Sequence, residues 1–311
     1  MDANNDRREN VELLQIGSIS LPEGQLNDTS SSDNRLLEEE DGRRADSEYE
    51  ERIVAFVDIL GFKEIIRKSA GEQADSGLVA RIHQALDGIR SPVLSEIFCT
   101  FVGITAPEDG FKERIHTFSD FMVMSVPEDI EALGLLTYAI FKKCRELLVA
   151  GFTSRGGIAK GKLFHRDGGT DTSPQIFGPA FLDAYNLEST HAENPRIILQ
   201  NEVWDIIRDY SGRQNTRLSK FLEAHVKRAP DGPAYIDLFA DFKENSFYNS
   251  VPEIESDINR IYEHIGTSLD KSADRPRDFK KNAHLARLFN AALEDSQYQR
   301  FQITSSRLPS T

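Results

Sequence analysis

The chain has 311 residues, of which 39% are hydrophobic and 9% aromatic, and its formal net charge is −14. This composition supplies enough apolar side chains for a buried core, so a wholly disordered chain is excluded. Its two cysteines are too few for a disulfide framework or a structural zinc cluster. No apolar run approaches the roughly 20 residues that span a bilayer, and the polar first ten residues do not resemble a signal peptide. The sequence therefore predicts a soluble, cytoplasmic protein without a membrane partner.

The negative charge is concentrated in the first 51 residues, which carry 15 acidic and 5 basic side chains. We predict that residues 1–49 form a disordered acidic tail, because their few apolar residues show no sustained periodicity. The rest of the chain is mildly acidic and has no concentrated basic stripe. An extended nucleic-acid partner is therefore not expected, whereas a small anionic ligand bound by a few residues and a metal ion remains compatible with the charge.

The first ordered element is predicted at residues 53–60, a continuous apolar run that one carboxylate interrupts. This pattern is typical of a strand that is buried on both faces. Helical spacing of apolar residues follows at residues 62–70 and 78–89, and Pro92 bounds the second of these helices. Residues 97–104 favour a further strand.

Two strand-like runs at residues 114–118 and 121–126 are joined by residues 119–120 and predict a tight hairpin. Residues 130–149 have the periodicity of an amphipathic helix. Residues 153–164 alternate in polarity and are rich in glycine, as in a strand that closely contacts another part of the molecule. The resulting order β-α-β-β-α-β predicts an α/β protein with a ferredoxin-like core.

The C-terminal part is predicted to be mainly helical. Its predicted elements are a helix at 178–190, a strand at 196–199, a helix at 201–210, a strand at 235–239 and helices at 254–269 and 279–293. We interpret residues 50–210 as the core domain. Residues 211–311 are interpreted as a helical extension that packs on this core.

One carboxylate, Asp58, lies at the C-terminal end of the first apolar strand, just before Gly61 and the following helix. Burial of an unpaired carboxylate is costly, and ligands of open α/β sheets bind at strand ends of this kind. A backbone reversal through Gly61 and Phe62 would direct N–H groups towards an anion. An aspartate before a helix can equally be a capping residue that needs no ligand.

A second carboxylate, Asp120, lies in the hairpin whose strands neighbour the first strand in this topology. Two carboxylates on adjacent strand ends repel each other unless a cation lies between them. Paired aspartates beside an anion-binding turn form the two-metal arrangement used for displacement at phosphorus, and Mg²⁺ or Mn²⁺ prefer such oxygen ligands. The alternative is that Asp120 serves only the hairpin turn.

Four segments in this order resemble the motifs of the class III nucleotide cyclases. Residues 56–62 (FVDILGF) resemble their first metal motif, and residues 113–120 (ERIHTFSD) resemble their base-and-metal hairpin. Residues 155–161 (RGGIAKG) match the pattern Arg-x-Gly-Ile-x-x-Gly, and residues 178–188 resemble the helix that ends in Leu-Glu. The resemblance covers residues 52–200. It implies a class III cyclase core and a homodimer in which two protomers share each active site.

The resemblance also implies roles for individual residues. Asp58 and Asp120 would be the catalytic carboxylates and, with the backbone carbonyl of Ile59, would bind two Mn²⁺ or Mg²⁺ ions per site. The predicted nucleotide-binding residues are Phe56, Gly61, Phe62, Arg114, Arg155 and Gln175. Arg114 and Gln175 occupy the positions that read the base in purine cyclases, and both would act from the second protomer. Two readings of Arg155 stay open: it bridges phosphates, or it pairs with a carboxylate across the sheet.

Two residues of the family pattern are missing. The cyclases carry a transition-state Asn and Arg four positions apart on the late helix, where this chain has Leu182 and Asn186. Loss of both donors to the developing phosphoryl charge would impair a purine cyclase. The intact carboxylates Asp58 and Asp120 argue against decay, so a divergent branch with different chemistry at the base is the favoured interpretation.

Residues 178–188, joined to a helical C-terminal extension, are most similar to the bacterial pyrimidine cyclases of the Pycsar antiphage systems. This resemblance implies conversion of UTP to cyclic UMP, or less favourably of CTP to cyclic CMP, for a separate effector protein in antiphage defence. Arg114 fits this interpretation, because an arginine fork can donate two hydrogen bonds to a pyrimidine oxygen; it can equally be an exposed hairpin arginine. The alternative functions are an adenylate or guanylate cyclase and a catalytically silent nucleotide-binding protein.

Overall fold

The computed structural model describes residues 49–308, except for residues 71–76, 88–91, 109, 167–172 and 243–250. The predicted disordered tail, apart from Tyr49, therefore lies outside the described residues. The described residues belong to a single compact unit of the chain. None of their helices combines the length and the apolar character needed to cross a membrane.

Eight strands of the described residues form one sheet. They are β1 (Glu50–Ile59), β2 (Arg114–Thr117), β3 (Phe121–Pro127), β4 (Ser154–Arg166), β5 (Gln175–Phe177), β6 (Ile197–Leu199), β7 (Val226–Arg228) and β8 (Ala234–Ile236). Their order across the sheet is β2-β3-β1-β4-β6-β8-β7, with β5 paired to β4. Strand β1 runs antiparallel to both β3 and β4. The order β2-β3-β1-β4 is that of a ferredoxin-like βαββαβ unit, so the predicted fold class is confirmed.

The helices connect and cover these strands. They are α1 (Phe62–Ser69), α2 (Leu78–Asp87), α3 (Pro92–Val102), α4 (Ile130–Val149), α5 (Pro179–Asn186), α6 (Asn201–Arg213), α7 (Arg217–His225), α8 (Val251–Ser272) and α9 (Pro276–Leu293). A π-helical segment (Leu187–His191) continues α5, and a 3₁₀ turn (Gln299–Phe301) follows α9. The two helical crossings that the βαββαβ order requires are α1–α3, which lie between β1 and β2, and α4, which lies between β3 and β4.

The prediction of a strand at residues 97–104 is wrong, because residues 97–102 belong to helix α3. Phe98, Cys99 and Val102 are buried, whereas Ile97 is 49% exposed. This spacing places the buried residues on one face of the helix. The helical period is not evident in the sequence, because a short continuous apolar run is compatible with either a strand or a buried helix.

The two faces of the sheet are covered unequally. Ile53, Ala55 and Val57 of β1 enter a large core to which α3, α4 and α6–α9 contribute. Val54 and Phe56 enter a smaller cluster, to which α5 and the π-helical segment supply the helical residues. We call the side of the sheet that carries Val54 and Phe56 the open face. The first strand is therefore buried on both sides, as its continuous apolar pattern predicts.

The region after residue 210 shares the large core. Leu218 and Leu222 of α7 pack in the same cluster as Ile254 and Ile258 of α8. The helical C-terminal region is present, and it also contributes β7 and β8 to the edge of the sheet. Helix α7 and strand β7 are absent from the sequence-based prediction. The division at residue 210 stays a prediction, since the described residues form one core on both sides of it.

An ion pair inside the protein attaches this region to helix α4. Arg145 of α4 donates to Asp241 over 2.6 Å, and the side-chain exposures are 3% and 0%. Arg145 also donates to the carbonyl of Leu238, and its guanidinium lies over the rings of Phe141 and Phe242. The residues that follow β8 are thus fixed to the central helix by a buried charge pair.

Candidate active site

The structure brings Asp58 and Asp120 to the same end of the sheet. Asp58 lies opposite Phe121 of β3 and opposite Arg155 of β4, and opposed residues of antiparallel strands share a face. The backbone N–H of Ile59 donates to the carbonyl of Asp120 over 2.9 Å. The hairpin thus holds Asp120 beside the C-terminal end of β1, where the sequence predicted that the two carboxylates would meet.

The electrostatics of this end leave Asp58 short of positive charge. Its partial burial, followed by the charges of Glu188 and Asp120, raises the pKa of Asp58 from an ordinary 3.8 to about 7, against the opposing effect of Arg155. In the described part of the chain no lysine or arginine forms an ion pair with Asp58 or Asp120. A bound cation would relieve this repulsion, so the donor set fits a divalent ion.

The side chains alone do not complete a metal site. Within the described residues there is no group of three or more His, Cys, Asp or Glu side chains that could hold a metal ion. Ions at Asp58 and Asp120 would therefore need additional oxygen ligands, such as the backbone carbonyl of Ile59 and the phosphates of a substrate. This donor set is that of a Mg²⁺ or Mn²⁺ site rather than of a structural zinc site.

The raised pKa of Asp58 links the stability of the metal-free protein to pH. Between 3.8 and about 7 the folded chain binds more protons than the unfolded chain, so the free energy of unfolding falls as the pH rises through this window. We expect the melting temperature of the metal-free protein to fall from about pH 5 to about pH 8, and Mn²⁺ to restore it mainly at the higher pH. Asp58→Asn should flatten both effects. A melting temperature at the higher pH that does not respond to Mn²⁺ would argue against the metal site.

The turn after β1 presents unused backbone donors. Gly61 adopts a left-handed conformation with a φ of 73°, which favours glycine, and its carbonyl accepts from Glu64 and Ile65. Among the described residues no acceptor engages the backbone N–H groups of Gly61, Phe62 and Lys63. The side chain of Phe62 is buried. The candidate anion site is therefore the backbone of the turn at the N-terminus of α1.

Arg155 pairs with a carboxylate that sequence reasoning missed as a site residue. It forms an ion pair with Glu188, whose side chain is buried in the π-helical segment. This segment lies against β4 because residue 157 is a glycine, at which a Cβ atom would lie 2.5 Å from the Cβ of Leu187. Arg155 thus pairs with a carboxylate, but with one of the π-helical segment rather than one across the sheet; its contact with phosphates stays a prediction. The feature of the sequence that points to Glu188 is its position at the end of the segment 178–188, which resembles the cyclase helix that ends in Leu-Glu.

Phe56 belongs to a row of aromatic rings on the open face. Its ring stacks on Phe121 with centroids 4.9 Å apart and meets Tyr185 edge-on at 5.4 Å. Phe118 stacks in turn on Phe121 at 4.6 Å. Because Phe56 is only 5% exposed, it acts as a core residue in the protomer rather than as a platform for a base. The exposed rings of this row are Phe118 and Tyr185.

Arg114 lies at the other end of the sheet. It is opposite Ser125, which is itself opposite Val54, four residues before Asp58. This register separates Arg114 from Asp58 by about 13 Å along the strand direction. The guanidinium of Arg114 donates to the carbonyl of His165 and, over 3.2 Å, to Glu50.

Gln175 lies at the same end as Arg114. It faces Arg166 at the end of β4, and its side-chain oxygen accepts from Arg166 over 2.7 Å. Within one protomer the predicted site residues therefore form two groups. Asp58, Ile59, Gly61, Phe62, Asp120 and Arg155 lie at one end, and Arg114 and Gln175 lie at the other.

The two positions that depart from the cyclase pattern are both on α5. Leu182 is 57% exposed, and Asn186 is also exposed at the end of the helix. Neither side chain supplies a cation. The departure seen in the sequence is therefore not compensated at these positions themselves.

The chain is similar in structure to solved nucleotide cyclases. The adenylyl cyclase CyaB from P. aeruginosa is 18% identical, with 60% of this chain and 92% of that chain covered and a TM-score of 0.39. A bacterial light-regulated adenylyl cyclase is 14% identical over 61% of this chain and 91% of that chain, with a TM-score of 0.34. The guanylyl cyclase Cya2 is 10% identical over 50% and 78%, with a TM-score of 0.33. TM-scores this low assign no activity to the chain. No protein-family model matches it, and no curated protein is similar to it in sequence.

Proposed function

We propose that this protein is a pyrimidine nucleotide cyclase that converts UTP, or less favourably CTP, to the 3′,5′-cyclic monophosphate and pyrophosphate. The observation that carries the proposal is the meeting of Asp58 and Asp120 at one end of the sheet, beside the unused backbone donors of the turn at Gly61. Such a pair beside an anion-binding turn suits displacement at phosphorus. The class III cyclase motifs in the sequence fall on these same elements.

The residues at the end of the sheet that carries Asp58 and Asp120 would have different roles in this reaction. Asp58, Asp120 and the carbonyl of Ile59 would hold Mn²⁺ or Mg²⁺, which when bound lowers the pKa of the ribose 3′-hydroxyl and offsets phosphate charge. The N–H groups of the turn would bind the triphosphate at the positive end of α1. In the reaction the 3′-oxygen bonds to the α-phosphorus, the bond to pyrophosphate breaks, and the hydroxyl proton passes to water.

Arg155 lies beside this end and would stabilise negative charge on the phosphates. Its ion pair with Glu188 keeps the guanidinium opposite Asp58 in the register of β1 and β4. Leu182 and Asn186 supply no cation, whereas Arg155 is a cation close enough to lower the pKa of Asp58. A charge-assisted contact from arginine to phosphate is among the stronger hydrogen bonds available to a protein.

The proposed active form is a homodimer with shared sites. Arg114 and Gln175 lie at the opposite end of the sheet from Asp58. They would act from the second protomer, as the cyclase resemblance implies. The sparsely covered open face also exposes large apolar side chains, which mark interaction surfaces when they cluster. These exposed residues are Phe118, Leu182 and Tyr185.

Release of pyrophosphate from each of the four ribonucleoside triphosphates tests the reaction class. We expect release from UTP with Mn²⁺ and none after the metal is chelated. Use of a purine nucleotide alone would favour the adenylate or guanylate cyclase alternative. Tight binding without turnover would favour the silent nucleotide-binding alternative. If the product forms, we propose that a separate effector protein senses it in antiphage defence.

Arg114→Lys tests the proposed contact to the base. A lysine keeps the charge but loses the planar fork, so we expect the kcat/KM for UTP and CTP to fall about tenfold. Arg213→Lys, at an exposed position at the end of α6, is the matched control and should leave both rates unchanged. Equal rates of the Arg114→Lys and wild-type proteins with all four nucleotides would remove Arg114 from the base pocket.

A further inference from the structure

Glu50, at the start of β1, is shared by two arginines. Its Oε2 accepts from Nη1 of Arg52 over 2.7 Å, and its Oε1 accepts from Nη2 of Arg114 over 3.2 Å. Burial opposes ionisation of Glu50, but the hydrogen bond from Arg52 and the charges of both arginines hold its pKa below the usual range. One carboxylate therefore pairs with two guanidinium groups.

Arg52 is the inner of the two arginines, and its side chain makes hydrogen bonds inside the protein. Arg52 is almost completely buried, and it donates to Ser125 Oγ over 2.9 Å and to the carbonyl of Lys112 over 2.6 Å. Ser125 Oγ lies 2.7 Å from Nδ1 of His165, whose carbonyl accepts from Arg114. The contacts of Arg52, Ser125 and His165 form a buried frame. Arg114 is attached to it through the carbonyl of His165 and through Glu50, whose side chain is 49% exposed.

Arg114 is the outer member and keeps unused donors. A guanidinium has five N–H groups, and the bonds to Glu50 and His165 use two of them. The other three have no acceptor among the described residues, and the side chain is 29% exposed. Arg114 therefore presents these unused donors on a side chain that Glu50 and the carbonyl of His165 hold in place.

We infer that Glu50 is a positioning residue for Arg114, and that Arg114 meets the 4-position of the base, so that uracil, which bears a carbonyl oxygen there, is preferred to cytosine. The inference rests on the proposed function, in which Arg114 meets the base. A guanidinium only donates hydrogen bonds. The 4-position of uracil bears an oxygen acceptor, whereas that of cytosine bears an amino donor. An amino group at this position would bring donor against donor, and a site of this kind rejects the analogue that cannot accept.

Glu50→Gln tests the inference, with Glu51→Gln as the matched control, since Glu51 is the exposed neighbour on the same strand. The amide removes the charge that orients Arg114 but keeps the size of the side chain. We expect the ratio of kcat/KM for UTP to that for CTP to fall about tenfold in Glu50→Gln and to stay unchanged in Glu51→Gln. An unchanged ratio in a folded Glu50→Gln protein would overturn the inference. So would an equal loss with both nucleotides that follows a lower melting temperature.

Two further measurements separate this inference from the reaction itself. Glu50→Asp keeps the charge, so it should restore part of the preference for UTP, and no restoration would count against a positioning role. If the wild-type protein forms no cyclic product, the equilibrium binding of UTP and CTP decides. Tighter binding of UTP that Glu50→Gln abolishes would support the inference although the proposed function had failed. Equal binding of UTP and CTP would overturn it.

Discussion

Replacing either Asp58 or Asp120 by asparagine is expected to abolish formation of the cyclic product, with a loss of about 10³-fold or more. The amide keeps the size of the side chain, but it removes the negative charge with which each residue would hold a divalent ion. The measurement is product formed from UTP with Mn²⁺. The melting temperature should show that both variants fold, and Asp58→Asn should not be less stable at neutral pH, because it removes a carboxylate that Glu188 and Asp120 repel.

Asp183→Asn is the matched control for these variants. Asp183 lies on α5 within the cyclase-like segment and is exposed. It should keep wild-type activity, because it is not among the residues proposed to hold the metal or the nucleotide. Activity above about a tenth of wild type in Asp58→Asn or Asp120→Asn would mean that the lost carboxylate does not hold the metal.

Mixing inactive chains extends the same experiment to the shared site. Asp58→Asn and Arg114→Ala damage opposite ends of the sheet, so a dimer of one chain of each kind would contain one intact site. With random pairing, we expect activity to recover to about a quarter of wild type. Two inactive variants that stay inactive after mixing would contradict a site shared between protomers.

Asp241→Ala is expected to destabilise the protein by about 3–5 kcal/mol. The substitution leaves the guanidinium of Arg145 buried without its carboxylate, and this uncompensated charge lies in the core between α4 and the residues after β8. Urea unfolding followed by circular dichroism gives the free energy of unfolding. A loss of this size would show that the buried pair contributes to the stability of the described unit.

Two controls separate the charge from the packing. Asp209→Ala removes an exposed carboxylate that pairs with Arg208 and Arg213, and it should change the stability by less than about 1 kcal/mol. The double variant Arg145→Met with Asp241→Leu should be more stable than Asp241→Ala, because it removes both charges. A loss below about 1 kcal/mol for Asp241→Ala would mean that the buried pair contributes little.

Sequence patterns predicted the core of the fold because its signals are local. The apolar run around Asp58, the hairpin at Asp120 and the period of α4 each depend on neighbouring residues, and together they define the βαββαβ order. The pattern failed at α3, where a short apolar run hides helical spacing. It also failed at β7, which has three residues, too few to establish a strand period.

The candidate site was predictable where topology alone determines it. Asp58 and Asp120 meet because β1 and the β2-β3 hairpin are neighbours in the sheet. The role of Glu188 was not predictable, because its burial depends on a π-helical segment that lies against the glycine at position 157. The pairing of Glu50 with Arg52 and Arg114 was equally hidden, since it joins strands far apart in the sequence and requires side-chain positions.

The most direct test of the account is the identity of the product. The purified protein would be incubated with each of the four ribonucleoside triphosphates and Mn²⁺, and the products would be identified by mass spectrometry and compared with those of Asp58→Asn. We expect cyclic UMP from UTP, less cyclic CMP from CTP, and neither product from Asp58→Asn. A cyclic purine as the sole product would contradict the assignment of the base. The absence of any cyclic nucleotide, or an active Asp58→Asn protein, would contradict the proposed catalytic site.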